Sequence, residues 1–454
     1  MSELPKGWVN SELGDVVDYG KTIKVDPNII DSDAWILELE DIEKGSSRLI
    51  QRLYYSQRKS KSTKNKFSKG NVLYGKLRPY LNKILIADKD GYCSTEIIPI
   101  KSGNHIDNRY LFYSLKSKEF LEYVENSSHG MSMPRLGTKQ GQKAPFVLAP
   151  LNEQIRIADK LDSMLAKVDA AQARLDKIPN ILKRFRQSVL AAATSGELTK
   201  EWRGVEEVIS SISSTWEIKN LPINWQVKLL PSIGSSRLGK MLDKTKNEGI
   251  STQYLGNINV RWNAFDLDVL KEIKVSEKEI TELSIKDGDL IICEGGVPGR
   301  GAVWKGGDNN LVFQKALHRI RFNDLVLPEF ALYCIQDDFN SNKLSSLYTG
   351  TTIKHLTGKA LKSYPVRVPP LNEQKEIVRQ VESLFTMADT VEKQYLEAKA
   401  RTNRLTQSIL AKAFRGELVP QDESDEPASE LLDRIKAEQA KLQPVKKSNK
   451  NRVT

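Results

Sequence analysis

One block of fifty residues occurs twice in this chain of 454, 220 positions apart. Without a gap, Pro150–Thr199 lies over Pro370–Val419 with 17 identities in 50 positions. Both copies open with PLNEQ, at 150–154 and 370–374, and close with GEL, at 196–198 and 416–418. Identical pairs between them include Ile157/Ile377, Asp169/Asp389, Arg184/Arg404, Gln187/Gln407 and Leu190/Leu410. A duplication of this length fixes the architecture.

Inside each copy the apolar residues step alternately by four and three. The first series runs from Ile157, Leu161 and Met164 to Phe185 and Val189; the second runs from Ile377, Val381 and Leu384 through Val391 to Leu405 and Ile409. That is the pattern of a coiled-coil seam. Each copy therefore predicts one helix of about 40 residues, roughly 60 Å long at 1.5 Å per residue. Asn152 and Asn372 are candidate N-caps, and Gly196 and Gly416 are candidate stops. Pro179 should kink the first helix, whereas Lys399 at the equivalent place lets the second run straight. Two such helices, each following a globular segment, bury their stripes most economically against each other, and the return of the chain suits an antiparallel pair.

The globular segments before the helices are similar in length but share only faint landmarks. LPKGW (4–8) resembles LPINW (221–225), and Tyr113, Gly130, Leu136 and Pro145 match Tyr333, Gly350, Leu356 and Pro365 at the same offset. Short alternating runs such as DGDLIICEGG mix with short helical ones such as PEFALYCIQDDF. The fold class expected is α+β: two α/β domains separated by two long helices forming an antiparallel coiled-coil spacer. The expected boundaries are 1–149, 150–199 (helix), 200–213 (a linker continuing into the Ser-rich run 209–220), 214–369, 370–419 (helix) and 420–454. That last tail holds an acidic patch, a short helix near 431–442 and a disordered basic end.

Composition narrows the class. The net charge is +11, and three cysteines (Cys93, Cys293, Cys334) show no ligand or disulfide spacing, so buried free thiols are expected. No apolar run approaches the roughly 20 residues of a membrane span. MSELPKGWVN lacks the apolar core of a signal peptide, and a soluble, cytoplasmic protein is expected.

From Lys44 through Ala87 there are twelve Lys or Arg and no acid, interleaved with Tyr54, Tyr55, Phe67, Tyr74 and Tyr80. A surface built for solubility mixes signs; polyphosphate backbones favour one that excludes acid. The competing reading is a solvated basic loop. Two further acid-free stretches, 126–152 and 339–372, hold GMSMPRL (130–136) and GTTIKHL (350–356), where a glycine followed by hydroxyl and basic residues suits backbone approach to phosphate. An ordinary polar turn is the plainer alternative. Candidates for such a phosphate-facing surface are Arg58, Lys59, Lys61, Lys64, Lys66, Lys76, Arg78, Arg135 and Lys139 in the first half. In the second they are Arg300, Lys315, Arg319, Thr351, Thr352, Lys354 and His355.

Catalytic signatures are missing from the sequence. There is no GxxxxGK[ST] loop, the Gly-rich CEGGVPGRGAVW (293–304) lacks the phosphate-loop lysine, and no Asp/Asn-Pro-Pro-aromatic string is present. His105, His129, His318 and His355 show no metal-ligand spacing. A nuclease with a scattered acidic site and a scaffold for RNA or acidic proteins stay open as alternatives.

The PLNEQ helix starts, ILKRFRQSVLAAATSGELT (181–199) and LTQSILAKAFRGELV (405–419) resemble the central and distal regions of type I restriction-modification specificity subunits. YGKLRPYLNK (74–83), GMSMPRL and GTTIKHL are similar to stretches of that family's target-recognition domains. The resemblance implies two such domains, each reading half of a bipartite double-stranded DNA site, with an antiparallel helical pair setting the gap. It implies docking of two modification subunits at the helix starts, assigned here to Asn152, Glu153, Gln154, Asn372, Glu373 and Gln374, and two restriction subunits beyond them. S-adenosylmethionine, ATP and Mg2+ are expected on those partners, with no catalytic site, cofactor or metal in this chain. The spacer would then act as a ruler, and four residues inserted near Ala170 should lengthen the gap in the recognised site.

Overall fold

The computed structural model describes residues 4–58, 60–130, 132–204, 208–212, 216–243, 247–308 and 310–442. The chain divides into two compact units, Met1–Leu175 with Glu397–Thr454, and Asp176–Leu396. The division falls inside the repeated helical blocks.

In the first unit, Val9–Glu12 pairs antiparallel with Pro145–Leu148, so the globular segment begins and ends side by side at the helix start. Between these strands lie two sheets. One orders Ile23–Val25, Lys64–Phe67, Gly91–Ser94, Trp35–Leu37 and Leu53–Tyr54, and the other orders Ile84–Ile86, Val72–Gly75 and Ile97–Ile100. Val72–Gly75 and Ile97–Ile100 are buried along their whole length, which is why they read as apolar runs and not as alternating ones. The core gathers Leu13, Tyr110, Leu111 and Phe146 with Ile157 and Leu161 from the first repeat and Leu410 and Ala413 from the second.

The second unit is built to the same plan. Gln226–Leu229 pairs antiparallel with Pro365–Val368. Gly301–Val303, Leu290–Cys293 and Leu317–Phe322 take the order that Ile84–Ile86, Val72–Gly75 and Ile97–Ile100 take in the first unit, with Gly234–Leu238 added at the edge. Ile250–Leu255 runs parallel to Val312–Phe313 as Trp35–Leu37 runs parallel to Gly91–Ser94. Here Val189, Leu190 and Ala193 from the first repeat share a core with Trp225, Phe330, Ile377 and Val381.

The helices depart from expectation in three ways. The first block is two helices, Leu151–Leu175 and Ile178–Ser195, because Pro179 sits in the first turn of a new helix, where its missing N–H costs nothing. The second block is one helix, Leu371–Phe414. Asn152 and Asn372 lie one residue inside their helices and are not the caps; the Pro150 and Pro370 carbonyls instead receive the Gln154 and Gln374 N–H groups at 2.8 and 3.0 Å. The seam is buried at the helix ends, yet Val391 and Leu405 are each 43% exposed, so it is not a continuous buried stripe. Gly196 ends its helix in the left-handed region, as expected.

The Ser-rich segment read as a linker is a β-hairpin, Val208–Ile212 against Glu217–Pro222. The tail helix forms at Ala428–Leu442 and is docked on the first unit by Leu431, Leu432 and Ile435. The basic end at 443–454 and Lys59 lie outside the described residues. No helix among the described residues is long and apolar enough to cross a membrane.

Candidate nucleic-acid interface

The side chains assigned to partner docking resolve first. Glu153 and Gln154 are buried at 2% and 0% exposure, Glu373 and Gln374 at 1% and 0%. Trp8 Nε1 donates to Glu153 Oε2 at 2.8 Å, Asp107 N–H to Gln154 Oε1 at 3.0 Å, and Gln154 Nε2 to the Ala149 carbonyl at 2.8 Å. In the second unit Leu327 N–H donates to Gln374 Oε1 at 2.8 Å, and Gln374 Nε2 to the Pro369 carbonyl at 2.8 Å. Thr199 Oγ1 donates to Glu373 Oε1 at 2.8 Å, and Arg203 pairs with the same carboxylate. These four residues are therefore internal clamps holding each globular segment to its helix start, and burial removes them from any docking surface. Asn152 and Asn372 are the exposed members of the six.

The basic candidates separate by what holds them. Arg58 bonds Glu40 at 2.9 Å and also pairs with buried Asp41. Lys64 is 1% exposed, with its ammonium on Glu38 at 3.0 Å and Ser62 at 2.8 Å. Arg319 donates to the Glu282 and Ser284 carbonyls at 3.0 and 2.9 Å, and burial pushes its guanidinium down from its ordinary value. These three are structural, and the sequence expectation for them is corrected. A buried charge must be paired, and the nearby acids that pair Arg58 and Lys64 precede the acid-free run. Lys66 is exposed but lines a separate cleft with Lys21, Lys69 and Lys101. Lys61 is exposed in the loop before it.

The remaining candidates of the first unit come together. Lys76 and Arg78 lie on the loop after Val72–Gly75, while His129–Arg135 forms a small hairpin closed by Arg135 N–H to the His129 carbonyl at 3.0 Å. Leu136 N–H donates to the Lys76 carbonyl at 3.0 Å and Arg78 N–H to the Pro134 carbonyl at 2.7 Å, stitching loop to hairpin. Lys76 N–H donates to the Glu96 carbonyl at 2.9 Å, which brings in the 94–96 turn. Arg78 adopts φ 47° and Asn82 φ 48°; asparagine takes the left-handed region readily, but for an arginine it is uncommon and is imposed by its surroundings. Lys139 follows on the exposed side of the next short helix.

The second unit repeats this frame with different side chains. Leu356 N–H donates to the Glu294 carbonyl at 2.7 Å, Glu294 N–H to the Ala316 carbonyl at 2.9 Å, and Thr349 and His355 exchange N–H···O bonds of 2.9 Å each. The loop 294–300, the turn 314–316 and the hairpin 349–355 thus stand where 76–82, 94–96 and 129–135 stand in the first unit. Lys315, Thr351, Thr352 and Lys354 are exposed there, and His355 packs its ring against Gly295. Arg300 is half-buried and donates from Nη2 to the Asn257 carbonyl at 2.9 Å. Below the hairpin, buried His318 contacts the Leu356 carbonyl through Nε2 at 3.2 Å, and burial lowers its imidazole from its ordinary value.

Sequence reasoning missed Glu96, Glu294, Asn257 and the exposed hairpin-tip pair Met133 and Ile353. The last two carried a signal, since both lie in the acid-free stretches at the 220 offset. Among the described residues, no His, Cys, Asp or Glu side chains gather into a group of three able to hold a metal ion. All three cysteines are buried free thiols.

Comparison with known proteins places this geometry. The type I restriction modification DNA specificity domain matches twice, over residues 5–180 and 222–399. The chain belongs to the type I restriction-modification specificity subunits. It is 34% identical to the Escherichia coli (strain K12) EcoKI specificity subunit over 345 residues, 73% of this chain and 72% of that one. To the Escherichia coli EcoDI specificity subunit it is 31% identical over 467 aligned positions, 96% of each. Its fold is similar to that of a chain solved for the assembly and conformational transition of the type I R-M system (TM-score 0.67, 19% identity, 92% of this chain and 100% of that one). It is also similar to the HsdS subunit from Thermoanaerobacter tengcongensis (TM-score 0.59, 20% identity, 91% and 98%). As a specificity subunit the chain serves in DNA recognition, and each of the two matched stretches contains one copy of the three-loop frame.

Proposed function

We propose that each three-loop head reads one half of a split double-stranded DNA site and that the repeated helices set the gap between the halves. The observation that carries this reading is one backbone frame built twice with different side chains. A constant frame supplies the same approach to the duplex, and differing side chains supply different base contacts. An antiparallel spacer is supported by which helix ends share a core. The start of the first repeat packs with the end of the second in one unit, and the end of the first with the start of the second in the other.

The outer helix faces suit partner docking. Ile181, Met387 and Leu396 are 60%, 61% and 59% exposed, apolar side chains left uncovered on the described helices. We assign these faces to two modification subunits that hold S-adenosylmethionine and methylate adenine N6. Two restriction subunits using ATP and Mg2+ complete the complex, in the cytoplasm, and this chain contributes recognition and not catalysis.

The test is genome-wide mapping of N6-methyladenine in cells making this chain with its modification subunit, against cells lacking the chain. A new motif of two short halves around a fixed gap supports the proposal. No chain-dependent motif, with partner binding verified, contradicts it.

A further inference from the structure

Glu96 and Arg135 meet on the DNA-facing head of the first unit. Arg135 Nε donates to both carboxylate oxygens of Glu96, at 3.1 and 3.3 Å, and Nη1 donates to the Met133 carbonyl at 3.3 Å. Nη2 makes no hydrogen bond among the described residues, and the side chain is 44% exposed. The backbone beneath is fixed from two sides, since Arg135 pairs with His129 and bridges to Leu77. A guanidinium is a rigid fork. Holding it by Nε fixes its plane and leaves its outer end, one N–H from each Nη, facing outward. Two parallel donors at that spacing match guanine O6 and N7 in the major groove.

Two observations separate this pair from an incidental surface salt bridge, which would add little to stability. Glu96 is an acid on a face otherwise suited to phosphate, and an acid there repels the DNA backbone unless it serves a neighbour. The second unit keeps the frame but changes both members: Ala316 stands at the place of Glu96 and His355 at the place of Arg135, each 220 positions on. The frame is shared and the pair is not, so this pair is one place where the two heads differ in what they offer a base.

We infer that Arg135 is a base-reading residue for a guanine in the first half-site, with Glu96 as its positioning residue. This rests on the proposed DNA-facing role of the head, and the test distinguishes the two. The full chain, assembled with its modification subunits, is presented with duplexes carrying the mapped split site. Every base pair of each half is replaced singly in turn.

The wild-type complex should lose roughly tenfold or more in affinity when one G·C pair of the first half is replaced. R135H, which installs the residue of the second unit, should bind that replacement and the original site about equally, with discrimination in the second half kept. R135K should lose most of the same discrimination, since an ammonium cannot make the paired contact. E96A should reduce it at that pair alone, and E96Q, which keeps an acceptor, should restore part of it. The inference is overturned if R135H discriminates at every G·C pair as wild type does. It is also overturned if R135H weakens all duplexes equally, the mark of a phosphate contact, or if neither half responds. If the wild-type complex itself prefers no split site, the DNA-reading proposal fails first, and that result is distinct.

Discussion

Gln154 and Gln374 are each asked to satisfy a backbone N–H and at least one carbonyl in a buried place. Gln154→Ala orphans the Asp107 N–H and the Ala149 carbonyl, and Gln374→Ala orphans those of Leu327 and Pro369. Each should destabilise its unit by about 1–3 kcal/mol, read as a lowered midpoint in chemical denaturation. Asn372→Ala, at an exposed position, should shift it by less than about 0.5 kcal/mol. His318 gives a pH dependence. Its folded imidazole is held below the ordinary value of 6.5 by burial, so the unfolded chain takes up the proton first as pH falls. Stability should be full above about pH 6.5 and decline below it, and His318→Asn should flatten that decline in denaturation midpoints at pH 7 and pH 5.5. Residue roles were the least legible part of the sequence. The PLNEQ repeat was plain, but whether its polar residues face outward or lock inward depends on Trp8 and Asp107, which come from elsewhere in the chain. Lys64 and Arg58 look identical in sequence to free basic residues, because Glu38, Glu40 and Asp41 reach them only through sheet pairing.

The helical blocks were legible because their periodicity is long and the duplication doubles it. What periodicity could not supply was cover: Val391 and Leu405 sit on the apolar register but stay 43% exposed, while Ile377 and Leu410 are fully buried beside globular segments. Pro179 was visible, and its effect is stronger than a kink, ending one helix and starting another. The Ser-rich hairpin was misread because β-pairing with Glu217–Pro222 overrides the turn-like composition of its first strand. On the spacer proposal, four residues inserted after Ala170 with four more after Ala400 would add about 6 Å, slightly more than one turn, to both helices. Methylation mapping should then show a gap longer by one to two base pairs, at 3.4 Å per base pair, with both half-sites unchanged. A gap of unchanged length would remove the ruler. On the docking proposal, Met387→Glu should weaken capture of the modification subunit tenfold or more, on the order of 2 kcal/mol for an interface anchor. The denaturation midpoint should stay close to wild type, because the side chain is already 61% exposed.

The chain as a whole was readable as two unlike heads on like helices, and the family follows from the same features that the comparisons match. The three-loop frame was not readable, because Lys76, Glu96 and Leu136 are joined through backbone hydrogen bonds that leave no pattern in side-chain type. Once seen, the frame makes the division of labour testable in one mapping experiment. N6-methyladenine would be mapped in cells carrying wild-type chain, a variant with Arg78 and Arg135 replaced by Ala, and a variant with Lys315 and Lys354 replaced by Ala. If each unit reads one half-site, the first variant relaxes base requirements in one half only and the second in the other half only, with the gap fixed in both. Changes that fall on both halves together, or on neither, would contradict two independent reading heads.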